Sequence, residues 1–346
     1  MGIENARPLK EYASLRLSEA RYDPRKLALI YGAAAVGVTF LLTLVNYLSQ
    51  WQIDSTVSGL SGMHSRTLWA TVQMVLQTAV SLALPFWSFG FLYGAIRMAR
   101  GERVEPMSLL EGFRRFGPVL RLQILRGMIF FGMAIACLYV GSFVYAMTPF
   151  ALPLMEKLQP MIEAGMAMEE MQAMFYALPE EEMLAMMRPA LIIGGVMFVL
   201  VAVPSLYRFR MADFIIMDEP RVGGMIALVG SGQLMRRNRW KLFKLDLSFW
   251  WYYLAMGLCY LLGSADMVLE GLGVQIAGVS QWVWLGLYVA AQLLLLAVYW
   301  RCHSYVQTTY AAAFDALRQQ KPEPPKPQPV PKNLPWDDNF ERQDPQ

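Results

Sequence analysis

The chain holds few residues whose types suit chemistry: two histidines, three cysteines, one glycine-flanked serine and an abundance of methionine. A general acid and base must lie within hydrogen-bond reach of each other. His64 and His303 fall in segments that the threading below sets on opposite membrane faces, which excludes a histidine dyad within one subunit. VGSGQ around Ser231 resembles a serine nucleophile turn only superficially, and a tight glycine-lined helix contact accounts for it. HExxH, GxSxG and GxxxxGK[ST] are all absent. Cys137 and Cys259 lie inside apolar runs and Cys302 just after one, without CxxC or zinc-ligand spacing, so they read as soft packing residues. Met168, Met171 and Met174 repeat at helical spacing, as thioethers capturing copper(I) would. With 24 methionines along the chain, a packing stripe is the plainer account. Neither an enzyme nor a cofactor is expected.

Polar side chains within apolar runs carry more information, because burying them in lipid is costly. Gln73 and Gln77 share a helical face, Gln292 sits mid-run, and Asn46 lies near the end of another run. They would either hydrogen-bond between helices or line a substrate path. Gly90 and Gly94 form a GxxxG pair that lets another helix come close. In VPSLYRFRMADFIIMDEP, the spacing of Arg210 and Asp213 allows pairing along a helix, and Asp246 can join them.

The elements that position these residues follow from composition. Of the residues 56% are hydrophobic and 16% charged, whereas soluble domains carry about 25% charged residues. Apolar runs of about 18 or more residues cross a hydrocarbon layer about 30 Å thick. Such runs predict six helices, near 27–48, 68–96, 127–147, 190–207, 245–263 and 282–300. The second is long enough to need tilt or a bend at Pro85. Of the 30 lysines and arginines, all but Arg66, Lys157 and Arg188 fall on one side of this threading. The positive-inside rule makes that side cytoplasmic, with both termini there.

Residues 1–26 then form a basic cytoplasmic segment, 27–317 a six-span membrane domain with a Met- and Glu-rich outer insertion at 148–189, and 318–346 a disordered proline-rich cytoplasmic tail. Two basic segments carry amphipathic stretches. Leu109, Leu110, Phe113 and Phe116 share one helical face, while Met225, Ile226, Val229 and Gln233 follow a similar period. Both stretches open on Glu-Pro and suit the headgroup plane. A threefold repeat, each unit an amphipathic helix and two spans starting near Leu9, Glu105 and Glu219, fits this order; ordinary loop design fits it as well.

GAIRMARGERVEPMSLLEGFRRFGPVL, PSLYRFRMADFIIMDEP, SGQLMRRNRWKLFKLDLSFWW and YVQTTYAAAFDAL, in that order, resemble the bacterial integral membrane family catalogued as domain of unknown function 975. The resemblance implies a multi-pass bacterial membrane protein and supplies no catalytic residues. The expected architecture is an all-α transmembrane bundle in the cytoplasmic membrane with interfacial cytoplasmic helices. The expected role is a membrane-embedded binding or scaffold protein whose basic face meets lipid or a protein partner at Arg208, Arg210, Asp213, Asp218, Glu219, Ser231, Arg236, Arg237 and Asp246. The proline-rich tail offers a second partner site, and no nucleic acid is expected. The alternative is a transporter or permease component, with Gln73, Gln77 and Gln292 lining its path.

Overall fold

A computed structural model of the chain describes residues 6–56, 60–166, 180–271 and 281–320. The copper(I) triplet of methionines and the proline-rich tail beyond Gln320 lie outside the described residues, while Arg318 and Gln319, expected in that tail, close the last helix. Helix is the only extended secondary structure among the described residues. Helix α1 (Ala6–Glu19) precedes two long helices, α2 (Pro24–Thr56) and α3 (Leu60–Ala99). A 3₁₀ turn (Pro106–Leu110) and the single turn α4 (Glu111–Arg114) lead into α5 (Phe116–Ala146), and α6 (Leu152–Glu163) precedes α7 (Glu180–Phe209). Three short helices follow: α8 (Ala212–Asp218), α9 (Gly224–Leu234) and α10 (Arg239–Leu247). The chain then continues as α11 (Trp250–Gly263), α12 (Ala265–Gly271), α13 (Gln281–Val298) and, after a π-helical turn (Tyr299–His303), α14 (Ser304–Gln319).

Among the described residues, five segments are long and apolar enough to cross a membrane: Pro24–Val45, Leu68–Ala99, Phe116–Ala146, Met187–Asp218 and Trp282–Gln319. By the length and composition of these helices the chain is a multi-pass membrane protein. The expected span at 245–263 is divided by a turn at Ser248 and Phe249, yet the chain still runs out and back there, since α11 lies antiparallel to α13 with Tyr252 bonded to His303 at one end and Gly263 against Ala291 at the other. The remaining α11 has 14 residues and rises only about 21 Å. The last span runs further than expected and carries His303 into the interior, where it is 7% exposed. Apolar length misplaced that end because the cluster YWRCHS interrupts the hydropathy while the helix continues through it.

Exposed apolar side chains cover the outside of the spans, as a lipid solvent permits, and the tight packing concentrates at the end where the basic segments meet. Leu9, Phe91, Ile96, Leu109, Leu122, Met211, Met217, Leu245, Phe249 and Phe314 form one buried cluster there. Side-chain bonds join the segments. Tyr12 donates to the Ala99 carbonyl at 3.0 Å, and Lys10 donates to the Ser248 carbonyl at 2.8 Å while lying 4.1 Å from the Phe249 ring centre. Burial lowers the Lys10 ammonium from its ordinary value.

Backbone contact explains the glycines of α3. A Cβ on Gly90 would lie 1.8 Å from the Leu109 carbonyl oxygen, and one on Gly94 would lie 3.2 Å from Ser108 Oγ. The GxxxG pair therefore receives the 3₁₀ turn Pro106–Leu110, not a full helix, and Gly112 seats on the Phe86 carbonyl in the same way. This corrects the expected amphipathic helix. Leu109 is buried while Leu110, Phe113 and Phe116 remain exposed, because the turn docks through Ser108, Leu109 and Gly112.

Candidate functional site

Helix α7 ends at Phe209 and α8 starts at Ala212, so the backbone turns at Arg210 and Met211. That break sends Arg210 and Asp213 to different partners. Arg210 hydrogen-bonds Asp246 on α10, whereas Asp213 accepts both terminal nitrogens of Arg126 on α5. The expected pairing of Arg210 with Asp213 is thus replaced by two long-range pairs, since the i,i+3 geometry needs a continuous helix. Bidentate arginine–carboxylate contacts are among the stronger hydrogen bonds in proteins.

Asp246 is the hub of this site. Tyr207 donates to its Oδ2 at 2.7 Å, and Tyr310 donates to its Oδ1. Tyr253 completes the ring, 2.6 Å from the Tyr310 hydroxyl and 3.0 Å from Arg210 Nη2. The Arg210 guanidinium also lies over the Tyr310 ring, 4.4 Å from its centre. A carboxylate held among hydrocarbon needs this many donors to stay charged at acceptable cost.

Ser231 repairs the helix break. Its hydroxyl donates to the Arg208 carbonyl at 2.7 Å and accepts from the Met211 N–H at 3.1 Å, satisfying two groups that the interrupted helix leaves over. It is fully buried, and Gly232 beside it brings α9 close to the Arg208 side chain. Its position accounts for a polar contact between helices.

A third cluster joins α3, α8 and α14. Asp218 receives Arg100 and Arg318, Asp315 receives Arg100, and Glu219 receives Arg318. Hydrogen bonds donated to Asp315 and Asp218 raise Arg100 above its ordinary value, so it stays cationic. Arg115 donates to the carbonyls of Ile216 and Met217, satisfying acceptors left at the end of α8.

Asp213, Asp218, Glu219, Arg210, Ser231 and Asp246 are therefore engaged within the protein. Arg208, Arg236 and Arg237 are exposed and make no ion pair among the described residues. The helices on either side of Arg236 and Arg237 carry exposed apolar residues, Met225, Ile226 and Val229 on α9 and Trp240 and Leu247 on α10.

A cavity of about 580 Å³ opens between α2, α3, α5, α8 and α14. Gln123, Asp213, His303 and Gln307 supply its polar lining, with Phe89, Phe91 and Leu92 among its apolar walls. His303 accepts or donates at Nδ1 to the Tyr252 hydroxyl at 2.8 Å and stacks on Tyr31 with ring centres 5.1 Å apart. Gln73, Gln77 and Gln292 are not among the residues lining this cavity. Sequence reasoning missed Gln123 and Gln307, though each is a lone amide beside aliphatic residues, in LRLQIL and SYVQTT.

Comparison with curated proteins and comparison with solved structures each returned no match. The family model described as "Protein of unknown function (DUF975)" matches residues 25–321, which takes in every buried ion pair described above. The chain therefore belongs to that family.

Proposed function

We propose that the chain is a membrane-embedded binding protein whose basic cytoplasmic face holds anionic lipid headgroups at the turn between α9 and α10. The observation that supports this reading is the contrast between two sets of charges. Asp246, Asp213, Asp218 and Glu219 are each paired with an arginine of the protein itself, Arg210, Arg126, Arg100 and Arg318 between them, whereas Arg236 and Arg237 are exposed without an ion pair among the described residues and are followed within one turn by exposed Trp240. Cations over an apolar edge suit a surface set at headgroup depth, with the indole at the membrane boundary. Arg208 stands beside Gly232 and extends the same patch.

Each cation near an anionic bilayer surface contributes about 1 kcal/mol. Replacing Arg236 and Arg237 with glutamine should therefore weaken phosphatidylglycerol binding to the purified, detergent-solubilised chain by roughly thirtyfold, with phosphatidylcholine binding unchanged. Equal phosphatidylglycerol affinity in wild type and variant would reduce these cations to topology determinants. A transporter or permease component is the second reading, and the cavity lined by Gln123, Asp213 and Gln307 favours it. Flux of an ion or solute through the reconstituted protein would distinguish that reading from a binding role.

A further inference from the structure

The cavity beside α3 has chemistry unlike that of the basic turn. Gln123 on α5 and Gln307 on α14 both line it, and neither amide makes a hydrogen bond among the described residues. Both amides are partly exposed to this space, and an amide without a partner is costly wherever water is excluded, so two of them lining one space favour a hydrogen-bonding occupant. Pro85 and Ser81 line the same space. Because Pro85 has no N–H, the Ser81 carbonyl one turn earlier receives no helical donor from it. The cavity thus offers two amides, a carbonyl freed from the helix, the Ser88 hydroxyl shared with Tyr31 at 2.9 Å, and the Asp213 carboxylate.

Charge narrows the occupant. Asp213 is already matched by Arg126, and the lining includes no arginine or lysine. A phosphate headgroup would meet a carboxylate with no cation to offset it. An uncharged group carrying a hydroxyl donor meets acceptors on several sides.

Placement narrows it further. Ser81 and Ser88 are exposed on a segment long enough to span the membrane, so the mouth of the cavity faces lipid. Ser81, Leu84 and Pro85 lie further along α3 from Arg100 than Phe91 and Leu92 do, giving an apolar wall that continues into the hydrocarbon. A volume of about 580 Å³ lies in the range of small-molecule sites and suits a headgroup with the first part of its chains.

We propose that this cavity binds a neutral, hydroxyl-bearing membrane lipid of the diacylglycerol class, with its glycerol hydroxyl among Gln123, Gln307 and the Ser81 carbonyl and its chains leaving past Leu84 and Pro85. The site is separate from the anionic-lipid surface at Arg236 and Arg237, and either assignment can fail without the other.

The test uses the full chain in phosphatidylcholine nanodiscs with a diacylglycerol carrying a diazirine near its ester carbonyl, followed by peptide mapping of the photoproducts. Labelling is expected in peptides containing 81–92 and 303–307. Excess unlabelled diacylglycerol should suppress it, and the same excess of phosphatidylglycerol or free glycerol should not. Gln123→Leu with Gln307→Leu should lower labelling roughly thirtyfold, since each lost hydrogen bond contributes on the order of 1 kcal/mol. Leucine removes amides that lack protein partners, so the fold is spared. Ser81→Trp, which blocks the mouth on an exposed helix face, should abolish labelling independently. Competition by phosphatidylglycerol equal to that by diacylglycerol would make the cavity a general lipid contact, and competition by free glycerol would make it a soluble-polyol site. Either result overturns the proposal, as does labelling unchanged by Ser81→Trp or absent from the wild type.

Discussion

Arg210 and Asp246 join the break after α7 to the end of α10, just before the turn that divides α10 from α11. The pair is mostly buried, at 29% and 12% side-chain exposure, and two tyrosine hydroxyls share the carboxylate. Removing one member of a buried pair strands the other charge and costs about 3 kcal/mol or more. Asp246→Ala should therefore lower the thermal midpoint of the purified protein sharply, while Arg210→Met combined with Asp246→Leu should recover much of the loss. Equal destabilisation by the single and double variants would show that the pair has no such coupling.

Gly90 gives a steric prediction. Its missing Cβ would sit 1.8 Å from a backbone oxygen, and backbone cannot move aside cheaply. Gly90→Ala should destabilise the protein by about 1–3 kcal/mol, whereas Gly132→Ala, which meets nothing within 4 Å, should leave it unchanged or slightly more stable. Denaturation of the two variants in the same detergent makes the comparison.

Ser231→Ala removes both bonds that bridge the α7–α8 break and leaves the Met211 N–H buried without its partner. An orphaned buried donor costs about 1–3 kcal/mol. Amide hydrogen exchange at 208–213 should accelerate in this variant more than exchange in α13. Protection unchanged at 208–213 would show that Ser231 does not hold the break.

The ion cluster around Asp218 predicts a dependence on its shared carboxylate. Asp218 is 8% exposed and serves two arginines, so Asp218→Asn should loosen both α3 and α14 from α8. Limited proteolysis near Arg100 and Arg318 should become faster. Glu219→Gln, at a half-exposed position with one arginine, should change the cleavage rate little, as partly exposed pairs contribute about 1 kcal/mol or less.

Much of this fold was legible because lipid imposes long apolar runs, and those runs alone located the spans. Ser231 was legible as a tight contact from its flanking glycines, and Gly90 from its spacing with Gly94. The division of the segment after Leu245 was hidden. Its composition is continuously apolar, and the turn at Ser248 arises where Asp246 faces Arg210, Tyr207 and Tyr310. Those partners lie 36 to 64 positions away in sequence, beyond the reach of local periodicity. The expectation that Asp246 joins Arg210 holds, whereas Asp213 satisfied the helical rule for Arg210 but belonged to a new helix and pairs with Arg126. Gln123 and Gln307 lay at the edges of apolar runs, where an isolated amide carries little signal until the tertiary structure brings two together.

The account rests on the basic segments meeting at one face of the membrane. Single cysteines at Glu102, Arg237, Gln320 and Ala164, placed in a chain whose Cys137, Cys259 and Cys302 are replaced by alanine, test this directly with a membrane-impermeant thiol reagent on sealed vesicles of known orientation. Glu102→Cys, Arg237→Cys and Gln320→Cys should react together from the cytoplasmic face, and Ala164→Cys only from the opposite one. Reaction of Arg237→Cys and Ala164→Cys from the same face would contradict the threading and, with it, the placement of the lipid-binding surface.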